Sequence, residues 1–510
     1  MLKLRHLLLQ NKIYYIILAI VIIFTAVRIV IPSKSVLNMK TNTITGKVTS
    51  IKYNGDQLTI IIRIKKREQV QCYYYFKTLE ELNNIKRKLK LGQKIKITGI
   101  IKKVNNNTIH NTFSLTNYLK IKKINYLFTI KKLKIVDYNV GMLYGLKNLI
   151  LNYLSYFKSG PYIKMLLLGD TSFVSNEIID SFRENGISHL FAISGTQVTV
   201  LAEAVLKILN KYKIKEKRRY IIVNFFIFIY MLLTGSPPAI LRAVLFFLLS
   251  SINKYNYFYI SNINIFYLTL SITLIINPYY IYDLGFLYSY SISMALILCS
   301  KFLDNKNSFY QLLLTSIISF LVSVPITINN FYQLNFMSII YNLFYVPFVN
   351  SILFPLSIMS IFFYPLDYIL SFFIRILEKT SLIISKISLG QIIFPKTPII
   401  TYVGYFLLLL IIYKYRYKVF WIFLIVYMLF HYSIYNIFND DYVYYFDIGQ
   451  GDSSLIHFDN QNILIDTGGK NNENNKFIQR EKKSIAINSL IPFFKSKGMK
   501  KLTYLIIKMD

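Results

Sequence analysis

NSFYQLLLTSIISFLVSVPITINNFYQLNFMSIIYNLFYVPFVNSILFPLSIMSIFFYPL fills Asn307–Leu366 and contains no Lys, Arg, Asp, Glu or His. A buried helix in a soluble core needs about 10–14 such residues, whereas a bilayer span needs ~20. The stretch therefore sets the class: a polytopic α-helical membrane protein. Working outward, further candidate membrane segments fall near 187–208, 220–236, 239–252, 259–277, 284–302, 398–413 and 419–437, with 309–330 and 336–363 inside the opening stretch. The shorter ones are expected to be re-entrant, where protein or a water-filled cavity surrounds them. An amphipathic piece around Arg375, Glu378 and Lys379 interrupts the series.

Loop charges orient the set. NKYKIKEKRRY at 210–220, KYRYK at 414–418 and the weaker loop with Lys301 and Lys306 are basic, as is the N-terminus, whereas NPYYIYD at 277–283 has no positive charge. By the positive-inside rule the basic loops belong to the cytoplasm. Alternating crossings then put both ends of the chain's extramembrane mass outside, provided Met337–Leu389 crosses an even number of times. Near the start, Lys3, Arg5 and Lys12 precede an apolar run over Ile13–Ile31 broken by Arg28. Ile29-Val30-Ile31-Pro32 offers no small-x-small cleavage site, so residues 1–40 read as a retained membrane anchor.

The pattern changes at about Asn42. ITGKVTSIKYNGDQLTIIIRI alternates apolar and polar residues around an Asn54-Gly55-Asp56 turn, which is hairpin grammar. VQCYYYF supplies a third strand. LKLGQKIKITGIIKKV is expected to give two more around Gly92 and Gly99, and NNNTIHNTFSLTNYLKI to turn into a last one. Such spacing fits a small Greek-key barrel of the OB type over 41–137. An amphipathic connecting helix is expected within 138–165, running from about Gly141 to Lys158. Cys72 and Cys299 lie in different segments, so no disulfide framework is implied.

The formal charge of +35 comes from 59 Lys and Arg against 24 Asp and Glu. Many of these lysines belong to an Ile, Asn, Lys and Tyr bias that AT-rich coding produces, yet a basic surface attracts phosphate backbones and anionic headgroups alike. Within the apolar region, LLLGDTSFVSNEIIDSFRENGISHLFAISGTQV at 166–198 concentrates polar groups, among them Asp170, Arg183, His189, Ser194, Gly195 and Gln197. Arg242 stands in TGSPPAILRAVLFFLL with uncharged neighbours. An intramembrane Arg costs ~2.5–3.5 kcal/mol on insertion scales, so it is expected to face a cavity or an acidic partner, the alternative being an Arg that snorkels from a helix end.

The order LLLGD, GISHLFAISG, SPPAILRA, NPYYIYDLGFLYSYS, SVPITINNFYQLN and YNLFYVP resembles the ComEC-type competence proteins, membrane channels for DNA internalisation. The resemblance extends to YYFDIGQGDSSLIHFDNQNILIDTGG from Tyr444, similar to the opening of the metallo-β-lactamase-like domain in which such proteins often end. It implies a competence-type channel domain at 166–438 and an incomplete metallo-β-lactamase-like α/β domain at 439–510. The polar-path candidates it implies are Asp170, Arg183, His189, Ser194, Gly195, Gln197, Arg242 and Asp283. Where the family usually reads AISGLHVG this chain has Gln197 for the His, and the usual GFQLS becomes Gly285-Phe286-Leu287-Tyr288-Ser289.

The family's metal-ligand run follows an apolar strand. Here the matching LTYLII at 502–507 is followed by Lys508, Met509 and Asp510. No catalytic residue, metal or cofactor is therefore implied, and the chain is expected to be a short or frameshifted form without nuclease activity. Asp447, Gly449, Gly451, Asp452, Asp466 and Gly468 are expected to shape turns, and His457 to be a surface residue. NILID and LTYLII are expected to lie exposed as aggregation-prone edges. Lys65, Lys66 and Arg67 beside Tyr73 and Tyr75 suit single-stranded DNA, since a basic groove tracks phosphates while aromatic rings stack on bases.

The expected function is uptake of single-stranded DNA across the cytoplasmic membrane, with membrane lipids, a DNA receptor and a cytoplasmic motor ATPase as the partners the resemblance implies. The rivals are a solute transporter with structural β domains, which would carry inverted repeats that the sequence lacks, and an inactive remnant of a membrane-anchored nuclease.

Overall fold

The computed structural model describes residues 11–31, 35–64, 68–256, 258–304, 306–387, 390–415, 417–437, 441–448, 451–459, 461–468 and 484–507. Lys65, Lys66, Arg67, Gly449, Met509 and Asp510 lie outside them.

Helix α1 (Asn11–Val30) carries the first run of ~20 apolar residues and is long enough to cross a bilayer. It packs along α10 (Asn262–Ile276): Tyr15 meets Tyr267 with ring centroids 5.5 Å apart, and Val21 joins a cluster with Phe266 and Leu274.

Five strands follow: β1 (Thr43–Asn54), β2 (Gln57–Arg63), β3 (Gln69–Tyr75), β4 (Lys94–Lys103) and β5 (Ile124–Asp137). They close in the order β1-β2-β3-β5-β4, with β3 and β5 parallel and the other pairs antiparallel. Helix α2 (Leu79–Lys88) lies between β3 and β4, started by Thr78, whose side chain accepts from the Glu81 amide. Strict alternation delivers Val48, Leu58, Ile60, Ile62, Cys72, Ile95, Ile97 and Phe128 to the interior. Two expectations are corrected. The segment around Gly92 and Gly99 forms one strand, because Gly99 sits at a bulge against β5 rather than at a turn; a Cβ there would lie 2.0 Å from the Thr129 carbonyl oxygen. The stretch after Asn105 forms helix α3 (Leu115–Ile121), capped by Ser114, before the last strand begins.

The connecting helix is split. α4 (Met142–Tyr153) ends in a 3-10 turn, and α5 (Gly160–Leu168) carries Pro161 in its first turn and stops at left-handed Gly169. The helical region continues through α6 (Asn176–Glu184), α7 (Gly195–Lys211), α8 (Glu216–Leu233), α9 (Pro238–Tyr255), α10, α11 (Leu284–Leu298) and α12 (Ser308–Phe331). Strand β6 (Gln333–Asn335), helix α13 (Ser338–Phe362, with a π turn over Phe348–Leu353), α14 (Leu366–Ile387) and strand β7 (Gln391–Ile393) come next. Helices α15 (Ile399–Tyr415) and α16 (Lys418–Ile437) complete it.

Among the described residues, five helical stretches are long and apolar enough to cross a membrane: Lys12–Val30, Ser188–Lys211, Ser308–Phe331, Ser338–Phe362 and Lys418–Tyr435. The pair α13 and α14 forms a hairpin. β6 and β7 pair antiparallel, Gln333 opposite Ile393 and Asn335 opposite Gln391, so the segment between them starts and ends at one place. The polar stripe of α14 ties this helix to the start of α5 and the end of α6. Asp367 accepts from the Lys158 and Ser159 amides at 2.8 and 3.2 Å, and Ser381 meets Ser181 and Asn185 at 2.9 Å.

The C-terminal part is a sheet in the order β11-β10-β9-β8, from β8 (Tyr442–Tyr445), β9 (Ser454–Phe458), β10 (Gln461–Ile465) and β11 (Tyr504–Ile506), covered by α17 (Ile491–Lys497). β10 and β11 run parallel. Its core of Phe446, Ile448, Leu455, Leu464, Leu490 and Phe493 also takes in Ile109 from the barrel's loop before α3. That loop is tied down on three sides. Asn107 donates to Ser489 at 2.8 Å, Asn111 donates to Ser496 at 3.1 Å, and Lys396 donates to Asn111 at 2.7 Å. This explains a further correction: the NILID strand, 462–466, is covered, since Asn462 and Leu464 are buried. The other half of that expectation holds, because Tyr504, Leu505, Ile506 and Ile507 are exposed at the sheet edge. His457 is likewise not a surface residue. It is 1% exposed, with its Nδ1 2.7 Å from the Asn462 Oδ1 and its ring stacked on Tyr442.

Candidate nucleic-acid path

The central polar group is assembled at the start of α7. Ser194 is the N-cap, accepting from the Gln197 amide at 3.4 Å, while the Gln197 side chain accepts from the Ser194 amide at 2.9 Å. This reciprocal capping box satisfies two amides that the helix leaves unpaired. Gln197 also donates to the Leu190 carbonyl at 3.4 Å and is 1% exposed. It is committed to the cap rather than to an open surface.

The next residue, Gly195, lies against Arg242 of α9. A Cβ on Gly195 would stand 2.8 Å from the guanidinium Nη2, so a larger residue displaces the arginine. Arg242 Nε donates to the Ser289 hydroxyl of α11 at 2.7 Å. Of the expected cavity or acidic partner, the second is not seen: Arg242 meets a neutral hydroxyl, and no ion pair forms at it among the described residues. One residue back, Tyr288 hydrogen-bonds Thr327 of α12 at 2.9 Å. One residue on, Tyr290 hydrogen-bonds Thr273 of α10 at 2.7 Å and donates to the Thr269 carbonyl at 3.2 Å. Motifs far apart in sequence therefore meet through single hydroxyl contacts.

Other candidates stand apart from this group. Asp283 caps α11, accepting from the Phe286 amide at 2.9 Å. Arg183 is exposed on α6 and pairs with Asp180 at 2.7 Å, and His189 Nδ1 lies 3.1 Å from the Gly186 carbonyl. Asp170, just past α5, accepts from the Ser172 amide at 3.1 Å and joins the group indirectly, since a Cβ on neighbouring Gly169 would stand 3.1 Å from Ile193.

On the barrel, Tyr73 and Tyr75 face outward beside Thr59 and Gln57, while Tyr74 faces the core side opposite Leu58. Tyr75 is exposed and Tyr73 is half-buried. In the C-terminal part, Asp447 and Asp452 are exposed. Asp466 has φ 57° and accepts from the Thr467 and Gly468 amides at 2.6 and 3.4 Å, holding a turn as expected. Gly451 and Gly468 have φ of 98° and 61°. Among the described residues no three His, Cys, Asp or Glu side chains cluster.

Ser289, Tyr288 and Thr327 were absent from the sequence-derived set. A run of hydroxyls inside an apolar helix, YSYSIS, was the available signal. Lys164, alone in the apolar YIKMLLL, was another.

The residues that build this group all fall inside a segment, 166–419, that matches the Competence protein family. The membrane region belongs to the competence protein family. The competence-family chain is also 26% identical over 285 residues to the ComE operon protein 3 of Bacillus subtilis (strain 168), a match covering 54% of this chain and 36% of that relative. The chain thus spans about a third of the curated relative it matches. Among solved structures, an aspartyl-tRNA synthetase from Leishmania major Friedlin aligns at 13% identity over 35% of this chain and 32% of its own. One from Entamoeba histolytica aligns at 16% identity over 35% of each chain. Both have a TM-score of 0.17, too low to imply a common fold. Family membership and the apolar helices together make this a membrane protein.

Proposed function

We propose that this chain conducts single-stranded DNA across the cytoplasmic membrane during competence, with the polar group around Arg242 as part of the path. The observation that carries the reading is Arg242 itself, a guanidinium among apolar helices whose Nε rests on a serine hydroxyl and not on a carboxylate. Placing arginine there costs ~2.5–3.5 kcal/mol on insertion scales, a cost that a passing phosphate offsets through charge-assisted hydrogen bonds. Ser194, Gly195 and Ser289 frame it.

The barrel over 41–137 is read as OB-like. Its closed β1-β2-β3-β5-β4 order supports this, and the outward Tyr73 and Tyr75 suit base stacking. The unit at 439–510 is read as an incomplete metallo-β-lactamase-like fold whose Asp466 turn is structural, without nuclease chemistry of its own. Anchor, connecting and channel units are assigned to 1–40, 138–165 and 166–438. Both β units are placed outside the cell. The β6–β7 clamp supports that topology, because a segment returning to its starting point crosses an even number of times. A DNA receptor and a cytoplasmic motor ATPase are the partners this role calls for.

Natural transformation tests the reading. In cells whose own chain is replaced by the Arg242→Gln variant at equal membrane abundance, transformants are expected to fall at least tenfold, and Arg242→Lys to fall less. Wild-type transformation by Arg242→Gln removes Arg242 from the path. Absence of any transformation defect when the chain itself is deleted refutes DNA uptake as its role.

A further inference from the structure

Helix α4 leaves one side of itself uncovered, and that side is apolar. Met142, Leu146, Leu149 and Tyr153 recur at steps of four, three and four, which puts them on one stripe of the helix. Tyr156, in the 3-10 turn that follows, continues the stripe. All five are exposed, Met142 by 93% and Tyr156 by 79%. The other sides of α4 are taken. Tyr144 and Leu151 pack on the barrel core, where a Cβ on Gly92 would stand 2.6 Å from the Tyr144 Cβ. Asn148 donates to the Leu91 carbonyl at 2.9 Å. Leu154 and Phe157, just beyond the helix, are buried in the core of the helical region. Single exposed apolar residues are ordinary, whereas a contiguous stripe of them marks a contact.

What covers the stripe follows from where it ends. The Tyr153 hydroxyl donates to the Ile361 carbonyl at 2.8 Å, in the last turn of α13, one of the helices long and apolar enough to cross a membrane. The Phe157 and Tyr364 rings meet with centroids 5.3 Å apart. Phe362, Phe363 and Tyr364, at that same end, are themselves exposed, Phe362 by 85%. The stripe on α4 therefore runs into the uncovered apolar end of α13, at the depth where a span gives way to headgroups. Tyrosine suits that depth, having an apolar ring and a polar tip. Twelve residues make a helix of about 18 Å, too short for a hydrocarbon core of ~30 Å, so α4 is not a further crossing. From Tyr138 to Met165 there is no Asp or Glu, whereas Lys147, Lys158 and Lys164 are present, a balance that suits phosphate headgroups.

We propose that α4 is an interfacial helix: its stripe lies in the lipid boundary beside the end of α13, and its back holds the barrel against the membrane surface. The inference rests on the membrane class alone and stands apart from the reading of DNA uptake. An apolar face so placed sinks about 5–10 Å into the headgroup–acyl boundary. The height of the barrel above the bilayer is then set through Tyr144, Asn148 and Leu151.

The test uses the full chain in phospholipid nanodiscs. Trp421, the one tryptophan of the chain, is first replaced by Phe, and a fluorescent reporter is then installed by Leu149→Trp. Phospholipids brominated near the carbonyl end of their acyl chains should quench this reporter. Aqueous iodide should quench it about fivefold less than a reporter installed by Lys96→Trp on the exposed barrel wall. Met142→Trp, at the most exposed position of the stripe, repeats the measurement if Leu149→Trp does not fold. A reporter open to iodide and unquenched by brominated lipid overturns the proposal, because the stripe then stands in water. A reporter shielded from both overturns it too, since a second copy or another protein would then cover the stripe.

Discussion

Replacing Ile109 by alanine should loosen the C-terminal unit although Ile109 belongs to the barrel's chain segment. Ile109 is 3% exposed and packs in the same core as Phe446, Ile448, Leu490, Phe493 and Phe494. Truncating a buried Ile, Leu or Met to Ala costs ~2–5 kcal/mol, and the lower figure suits a loop that can partly collapse. A loss of about 2 kcal/mol raises the population of the undocked loop about thirtyfold, since 1.4 kcal/mol is a factor of ten. Hydrogen exchange on the detergent-solubilised chain reads this directly. The amides of Leu490, Phe493 and Phe494 should exchange about thirtyfold faster, while those of the barrel strands at Val48 and Ile60 stay as they were, because Ile109 packs in the C-terminal core and not in the barrel's. Rates at Phe493 within about threefold of wild type would refute the idea that the barrel loop completes this core. A uniform acceleration of both units would refute it too, since it would mean a general loss of stability.

Three shorter predictions follow from the same geometry. A chain with Asn111→Cys and Ser496→Cys, whose native side chains touch at 3.1 Å, should be bridged by a short thiol cross-linker, detected as loss of proteolytic separation of the two segments. Gly468→Ala should cost about 1–2 kcal/mol in denaturant unfolding of the C-terminal unit: φ is 61°, and the new Cβ also pushes the end of Ile448 aside. Burial pushes the Asp283 carboxyl up, against the opposing pull of the Phe286 and Gly285 amides and of Lys122. Its contribution to stability is therefore fully present below the unfolded Asp value and is lost as pH rises through the folded one. Asp283→Asn keeps the cap and should flatten that fall in thermal midpoint; an unchanged pH profile would sink the argument.

Much was legible in sequence because it depends on local periodicity. The lack of charge over Asn307–Leu366 fixed the membrane class, and the candidate segments fell within a few residues of α8 to α13, α15 and α16, while the first began eight residues ahead of α7. Alternation identified β1 to β3, and Asn54-Gly55-Asp56 marked their first turn. Alternation could not reveal that Gly99 is a bulge, since bulge and turn use glycine alike and the distinction lies in the close approach of β5. Nor could it bury His457, whose cover comes from Asn462, Tyr435 and Tyr442.

The candidate path divides along the same line. Residue type singled out Arg242, Ser194 and Gly195, because a charge or a glycine in an apolar run is unusual wherever it stands. Gln197 was equally conspicuous, yet its role as the return half of a capping box is a matter of side-chain direction within one turn. The neutral partner on Ser289 and the docking of the 107–111 loop on the C-terminal unit depend on contacts between residues 47 and 339 to 385 apart. Sequence by itself determined which stretches form long apolar helices and which form sheets, since each is a property of a window of neighbouring residues. Which cation faces which hydroxyl, and which loop closes which core, was decided only when the helices and strands packed, because that information lies in distances between windows and not within them.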